Sequence, residues 1–111
     1  MQKSNRIRKN SQFRYVYRRG KSMSQPLLVL TYVRSGKLQV GFSISKKVGK
    51  AVQRNLIKRR LRECFRLQMT RLIPGYYVFS ARQGADKADY QALERDMNRL
   101  LARMKLYAGQ V

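Results

Sequence analysis

Residues 38–63 read LQVGFSISKKVGKAVQRNLIKRRLRE, and two periodicities meet inside them. Over 38–45, apolar Leu38, Val40, Phe42 and Ile44 alternate with Gln39, Gly41, Ser43 and Ser45. That two-residue period predicts a strand with one apolar face and one small, polar face. From Ala51 the period lengthens. At about 100° per residue, Ile57, Leu61, Cys64, Phe65 and Leu72 gather on one side of a helix. Asn55, Lys58, Arg59, Arg62 and Arg66 fall within about 100° of one another on the other side. The spacing predicts a helix over 51–72 that docks by one stripe, displays a ridge of cations, and stops at Pro74-Gly75.

Working outward, LLVLTYV (27–33) is a second strand, and the RSGK turn after it predicts a β-hairpin with 38–45. YYVFSAR (76–82) is a further strand. Near the N-terminus, QFRYVYRR predicts a short helix capped by Asn10 or Ser11 and stopped at Gly20, with Phe13, Val16 and Tyr17 on one stripe. A last helix begins after Asp89, a suitable N-cap, and carries Tyr90, Leu93, Met97, Leu100, Leu101 and Met104 along one face. The order helix, strands, helix, strand, helix indicates an α+β sandwich, with helices packed on a roughly four-stranded sheet. Without repeats, low-complexity tracts or a long linker, the chain reads as one domain over residues 1–111, with flexible ends at 1–5 and 108–111.

The charge balance bounds the partner. Lys and Arg number 26 against 5 Asp and Glu, a net charge of +21, within 111 residues that are 43% hydrophobic. A core of modest size can form, but such self-repulsion calls for a polyanion: nucleic acid, an anionic membrane, or an acidic protein. The longest largely apolar run, PLLVLTYV, falls far short of the roughly 20 residues of a spanning helix. No apolar segment of the kind a secretory signal needs follows the basic start MQKSNRIRKN. Cys64 stands alone, so neither an internal disulfide nor a cysteine-rich zinc site is expected, and a buried apolar role in a reducing cytosol fits it.

A solvated charged face is the ordinary meaning of a charge run, yet such faces mix signs. Here the one acid on the helix is Glu63, in helical register with Arg59 and Arg66. Arg-rich ridges suit phosphate oxygens, which the planar guanidinium meets bidentately. Lys46, Lys47 and Lys50 add charge near the helix start, where backbone N–H groups also favour anions. Phe13 and Tyr17, interleaved with Arg14, Arg18 and Arg19, suit stacking on unpaired bases, although packing on the sheet would equally explain them. No His is present, and the acids Glu63, Asp86, Asp89, Glu94 and Asp96 read more simply as helix-capping and helix-start charges than as a metal cluster. No catalytic or metal-binding residue is therefore expected.

The run SKKVGKAVQRN, with RIRKNSQFRYVYRRG before it and YYVFSAR after it, resembles the bacterial ribonuclease P protein family. The resemblance extends from about Arg6 through the last helix. It implies an α+β fold with a left-handed βαβ crossover, against the general right-handed preference. It also implies a subunit of a ribonucleoprotein endonuclease in the bacterial cytoplasm. Its partners would be a catalytic RNA and precursor tRNA, with no membrane and no obligatory protein partner. The RNA would use Mg²⁺ to remove the 5′ leader, and the protein would bind no cofactor itself. By position, Arg54, Asn55, Lys58, Arg59, Arg62 and Arg66 would contact the catalytic RNA. Phe13, Tyr17, Ser45, Lys46 and Lys47 would border the leader cleft, with the small polar strand face leaving room for RNA. The family motif continues Arg-Asn-Arg where this chain has Leu56, so a contact there is lost or passes to a neighbour such as Arg60. The rival readings are a structural ribosomal RNA-binding protein, a duplex-DNA architectural protein and, last, a membrane-surface binder.

Overall fold

In a computed structural model, residues 5–109 are described. The elements are α1 (Asn10–Arg19), β1 (Lys21–Ser24), β2 (Leu28–Arg34), β3 (Gln39–Ser43), α2 (Ala51–Arg66), β4 (Gly75–Ala81) and α3 (Tyr90–Arg103). Three helices pack on a four-stranded mixed sheet of order β1-β2-β4-β3. This is the α+β architecture the element order indicates.

The hairpin between β2 and β3 does not form. β4 lies between them, antiparallel to β2 and parallel to β3. The partner of β2 that lies next to it in sequence is β1, antiparallel through Lys21↔Tyr32 and Ser24↔Val29. KSMS carries too little apolar character to read as a strand, because β1 is an exposed edge. Strand β4 takes the centre because Tyr77, Val78 and Phe79 are all fully buried, so both of its faces need cover. β3, α2 and β4 form the parallel βαβ unit to which the resemblance assigns a left-handed crossover.

Cross-strand register divides the sheet into two faces. Leu28, Leu30, Val40, Tyr77 and Phe79 lie in the main core with Ile57, Leu61 and Phe65 of α2 and Leu93, Met97, Leu100 and Leu101 of α3. The opposite face carries Val78 and the rows Ser43↔Ser80 and Gly41↔Val78. There α1 docks through fully buried Val16, together with Ile7 and Phe13.

α2 also ends earlier than its apolar spacing predicts, at Arg66, and a short 3-10 turn follows at Met69–Arg71. Gln68 is the reason. Its buried amide donates to Cys64 O at 3.3 Å and to Asn98 Oδ1 at 2.8 Å, and its Oε1 accepts from Tyr107 Oη. A terminal carbonyl is thereby satisfied from the side, and another helical turn would pull this amide from its partners. Leu72 is buried in the core, but beyond the helix, bridged to Tyr107.

Both basic helices start without an acid or hydroxyl cap. Lys9 and Lys50 occupy the N-cap positions rather than Asn10 or Ser11 for α1. Gln12 Oε1 accepts from Lys9 N at 3.2 Å, and Gln53 Oε1 from Lys50 N at 2.8 Å. α3 starts as its sequence predicts, with Asp89 Oδ1 accepting from Ala92 N at 2.8 Å. Of the ends expected to be flexible, 1–4 and 110–111 lie outside the described residues. Asn5 Nδ2 donates to Leu38 O at 3.1 Å, and Ala108 N to Arg71 O at 2.7 Å.

Candidate nucleic-acid interface

Residues before α1 run alongside β3: Ile7 N donates to Val40 O at 2.9 Å, and Arg6 bridges to Val40 in parallel. This covers one sheet edge and holds Arg6 and Arg8 beside it. Phe13 then folds back onto Gly41, where a Cβ would stand 2.6 Å from the ring. Gly41 is therefore small because the protein's own phenyl ring fills that space. The expectation that small residues on this strand leave room for RNA is corrected at this position. Ser43 and Ser80, further along the same face, remain partly open.

At the β3 edge a cavity of about 240 Å³ is lined by Arg6, Arg8, Phe13, Phe42, Lys58 and Arg62, among others. It joins residues the sequence reading kept apart, Phe13 from one group and Lys58 and Arg62 from the other. Arg6 and Arg8 were missed. Their signal is alternation: in RIRK the buried Ile7 forces its neighbours outward. Phe42 is only partly buried and stacks on Phe79 with ring centres 6.0 Å apart.

Along α2, Asn55, Arg59 and Arg66 are exposed, while Arg54, Lys58 and Arg62 are partly buried. The ridge has two flanks. Lys58 and Arg62 border the β3-edge cavity, whereas Arg59, Arg62 and Arg66 border a groove shared with Tyr90 of α3. Glu63 pairs with Arg66 rather than Arg59, through Nη2–Oε1 at 2.5 Å and Nε–Oε2 at 3.1 Å. That bond holds the Glu63 carboxyl below, and the Arg66 guanidinium above, their ordinary values. Arg60 donates to Ala88 O at 2.9 Å, so its guanidinium is engaged toward α3, and Leu56 stands 38% exposed without a cation in its place. Cys64 is buried, its thiol pushed up chiefly by that burial. A hydrogen bond with the same thiol pushes Tyr90 up to about 12.

Tyr17 points across the other sheet face, its hydroxyl 3.0 Å from Ser80 Oγ. Because Ser80 pairs with Ser43, Tyr17 lies over the end of β3 from which Ser45, Lys46 and Lys47 lead away. These three are exposed in a turn closed by Val48 N donating to Ser45 O at 3.1 Å. Tyr17 and this turn thus share one end of the sheet, and Phe13 sits one helical turn away at the cavity. Among the described residues, no group of three or more His, Cys, Asp or Glu is placed to hold a metal. No helix among them is long and apolar enough to cross a membrane.

A small α+β sheet protein with cations on two adjoining surfaces, and aromatic rings between them, defines a polyanion-binding class. The Ribonuclease P family model matches residues 1–105. The ribonuclease P protein component of Clostridium botulinum (strain Loch Maree / Type A3) is 44% identical over 110 residues, 95% of this chain and 98% of the relative. That of Alkaliphilus oremlandii is 41% identical over the full length of both chains. The Staphylococcus aureus RNase P protein superposes with a TM-score of 0.89 at 30% identity, covering 95% of this chain and 99% of that one. The Thermotoga maritima protein gives 0.80 at 27% identity, over 88% and 96%. The chain belongs to the bacterial ribonuclease P protein family. It is the protein component of the ribonuclease P ribonucleoprotein endoribonuclease, acts in tRNA 5′ maturation, and partners the ribonuclease P RNA.

Proposed function

We propose that this chain, a single RNA-binding domain working in the bacterial cytoplasm, grips the catalytic RNA with α2 and the precursor leader with the α1 side of its sheet. Arg54, Asn55, Lys58, Arg59, Arg62 and Arg66 meet RNA phosphates, and neutralising them releases counterions, so affinity falls steeply with salt. Phe13, Tyr17, Ser45, Lys46 and Lys47 border the path of the single-stranded leader. The Tyr17 ring offers a stacking face fixed by its Ser80 hydrogen bond, and the lysines follow the phosphates. Precursor is then preferred over mature tRNA because only the precursor carries the strand these groups hold. In this reading the hydrolytic Mg²⁺ ions belong to the RNA.

One observation carries the reading: the β3-edge cavity places Phe13 against Lys58 and Arg62, so leader and catalytic RNA would meet at a shared boundary. The test is reconstitution. The purified chain is mixed with a bacterial ribonuclease P RNA at Mg²⁺ too low for the RNA alone, and release of a precursor-tRNA leader is followed. Correct cleavage dependent on the protein is expected. Tight RNA binding by folded protein without stimulation would sink the reading.

A further inference from the structure

Tyr15 and Tyr17 are two residues apart on α1, so about 200° of helical turn sets them on opposite flanks, with buried Val16 between them against the sheet. Tyr17 stands beside Ser80. Tyr15 stands beside Tyr76, with ring centres 6.1 Å apart and planes at 86°. Ser80 and Tyr76 lie on the same face of β4, about 13 Å apart along the strand. α1 therefore crosses that face with one tyrosine on either side. The crest between them carries Arg14 and Arg18, both exposed.

Packing does not account for Tyr15. Ile7, Val16 and Val78 form the small core under α1, and Phe13, Val33 and Tyr76 close against it. Tyr15 stays 40% exposed, outside that group. Its perpendicular contact with Tyr76 makes a corner rather than a closed stack. The corner opens on a cavity of about 250 Å³ lined by Ser11, Gln12, Tyr15 and Tyr76.

Gln12 gives the independent sign. Its Oε1 accepts from both Arg8 N and Lys9 N, at 3.2 Å each. Two backbone donors fix which end of the amide is oxygen, so Nε2 is held as a donor with no acceptor among the described residues. The Ser11 hydroxyl on the same rim can donate or accept. None of the four lining residues is charged, so the cavity is not shaped for a phosphate. Aromatic surface with a fixed polar rim matches what an unpaired base offers, a π-face and a hydrogen-bonding edge.

We propose that the Tyr15–Tyr76 corner is a second base-binding point for the 5′ leader of precursor tRNA. One unpaired base stacks on Tyr15 and turns its edge to Gln12 Nε2 and the Ser11 hydroxyl. The leader is the occupant because the corner lies on the sheet face that carries Tyr17 and the Ser43↔Ser80 row, opposite the face covered by α2 and α3. A strand held at Tyr17 reaches it across the Arg14–Arg18 crest. The proposal rests on the leader reading above and extends it from one flank of α1 to both.

The test uses the full chain assembled with a bacterial ribonuclease P RNA, and precursor tRNAs in which one abasic nucleotide is walked along the leader. Tyr15→Leu keeps apolar bulk against Tyr76 but offers no ring, and Tyr15→Phe keeps the ring. Tyr15→Leu should weaken precursor binding about fivefold and leave mature tRNA unchanged, while Tyr15→Phe should stay within about twofold of the unaltered chain. At one leader position, the abasic nucleotide should cost the unaltered protein about as much as Tyr15→Leu does, and cost the variant nothing further. That position should differ from the one that couples in this way to Tyr17→Ala. Affinity of the protein for ribonuclease P RNA should stay within about twofold.

Normal precursor binding by Tyr15→Leu, or no leader position coupled to it, would overturn the proposal while a loss in Tyr17→Ala left the leader reading standing. A loss that appeared in binding of ribonuclease P RNA instead would give the corner to the catalytic RNA and likewise overturn it. Normal precursor binding by Tyr15→Leu and Tyr17→Ala alike would bring down the leader reading, and this proposal with it.

Discussion

Helices α2 and α3 cover the same face of the sheet yet use their charges differently. The first acidic residue in the chain is Glu63, and all five lie between it and Asp96. Two of those on and around α3 are built into the fold. Asp89 caps the helix, and Asp96, fully buried, accepts from Leu27 N at 2.9 Å and lies 3.7 Å from Arg95 Nε. On α2 the ridge cations have a single carboxylate among them. The difference teaches that sign mixing marks charge that serves folding, whereas a one-signed surface marks charge that awaits a partner. Substitutions in the two helices should therefore fail in different ways.

The largest effect is expected at Asp96. Asp96→Ala removes a buried charged acceptor and leaves Leu27 N unpaired, which should cost about 2–3 kcal/mol of stability. Denaturant unfolding measures it, and RNA affinity of the folded fraction should stay within about twofold. Next comes Arg62→Ala, which should lower affinity for ribonuclease P RNA about tenfold and flatten its salt slope by about 1. Its stability should change by no more than about 0.5 kcal/mol. A variant that unfolded easily yet bound normally would reverse the contrast between the helices.

A smaller effect belongs to Tyr17, which is 45% exposed and does not fill the core. Tyr17→Ala should weaken precursor binding about fivefold, the size of one lost stacking face, and leave mature tRNA nearly unchanged. Equal losses for both would remove Tyr17 from the leader path. Phe13→Ala is the less clean experiment, because that ring also packs on Gly41 and Ile7 and its loss disturbs the fold.

The contrast explains what was legible in the sequence. α2 and α3 announce themselves because apolar stripe and polar face alternate at helical spacing, and Asp89 is a cap of the preferred type. Strand pairing was not legible. RSGK has turn chemistry, but local turn residues cannot report that β4, some 40 residues on, enters between β2 and β3 and satisfies both. The end of α2 was hidden for a similar reason, since Gln68 stops the helix through partners on α3 and in the C-terminal segment. Of the candidate site, the α2 ridge could be read from periodicity alone. That Phe13 would meet Lys58 and Arg62 depends on how the N-terminal segment lies along β3, which no local pattern encodes.

Glu63 offers the finest test, because it is the exception on its own helix. Its carboxylate holds Arg66 in a bidentate bond, so the pair is neutral and the ridge carries one net positive charge fewer beside the RNA path. Glu63→Gln should therefore strengthen RNA binding by about twofold, with the gain shrinking as salt rises. Acid should erase the difference. The Arg66 bond lowers the Glu63 value in the folded chain, so the pair's contribution to folding is present above the ordinary carboxylate range and lost as pH falls through the depressed value. At neutral pH the two proteins differ, and they converge only when the pH is low enough to protonate Glu63 against its partner. An advantage that persisted unchanged through that range would mean that some property other than the carboxylate charge limits binding at this end of α2.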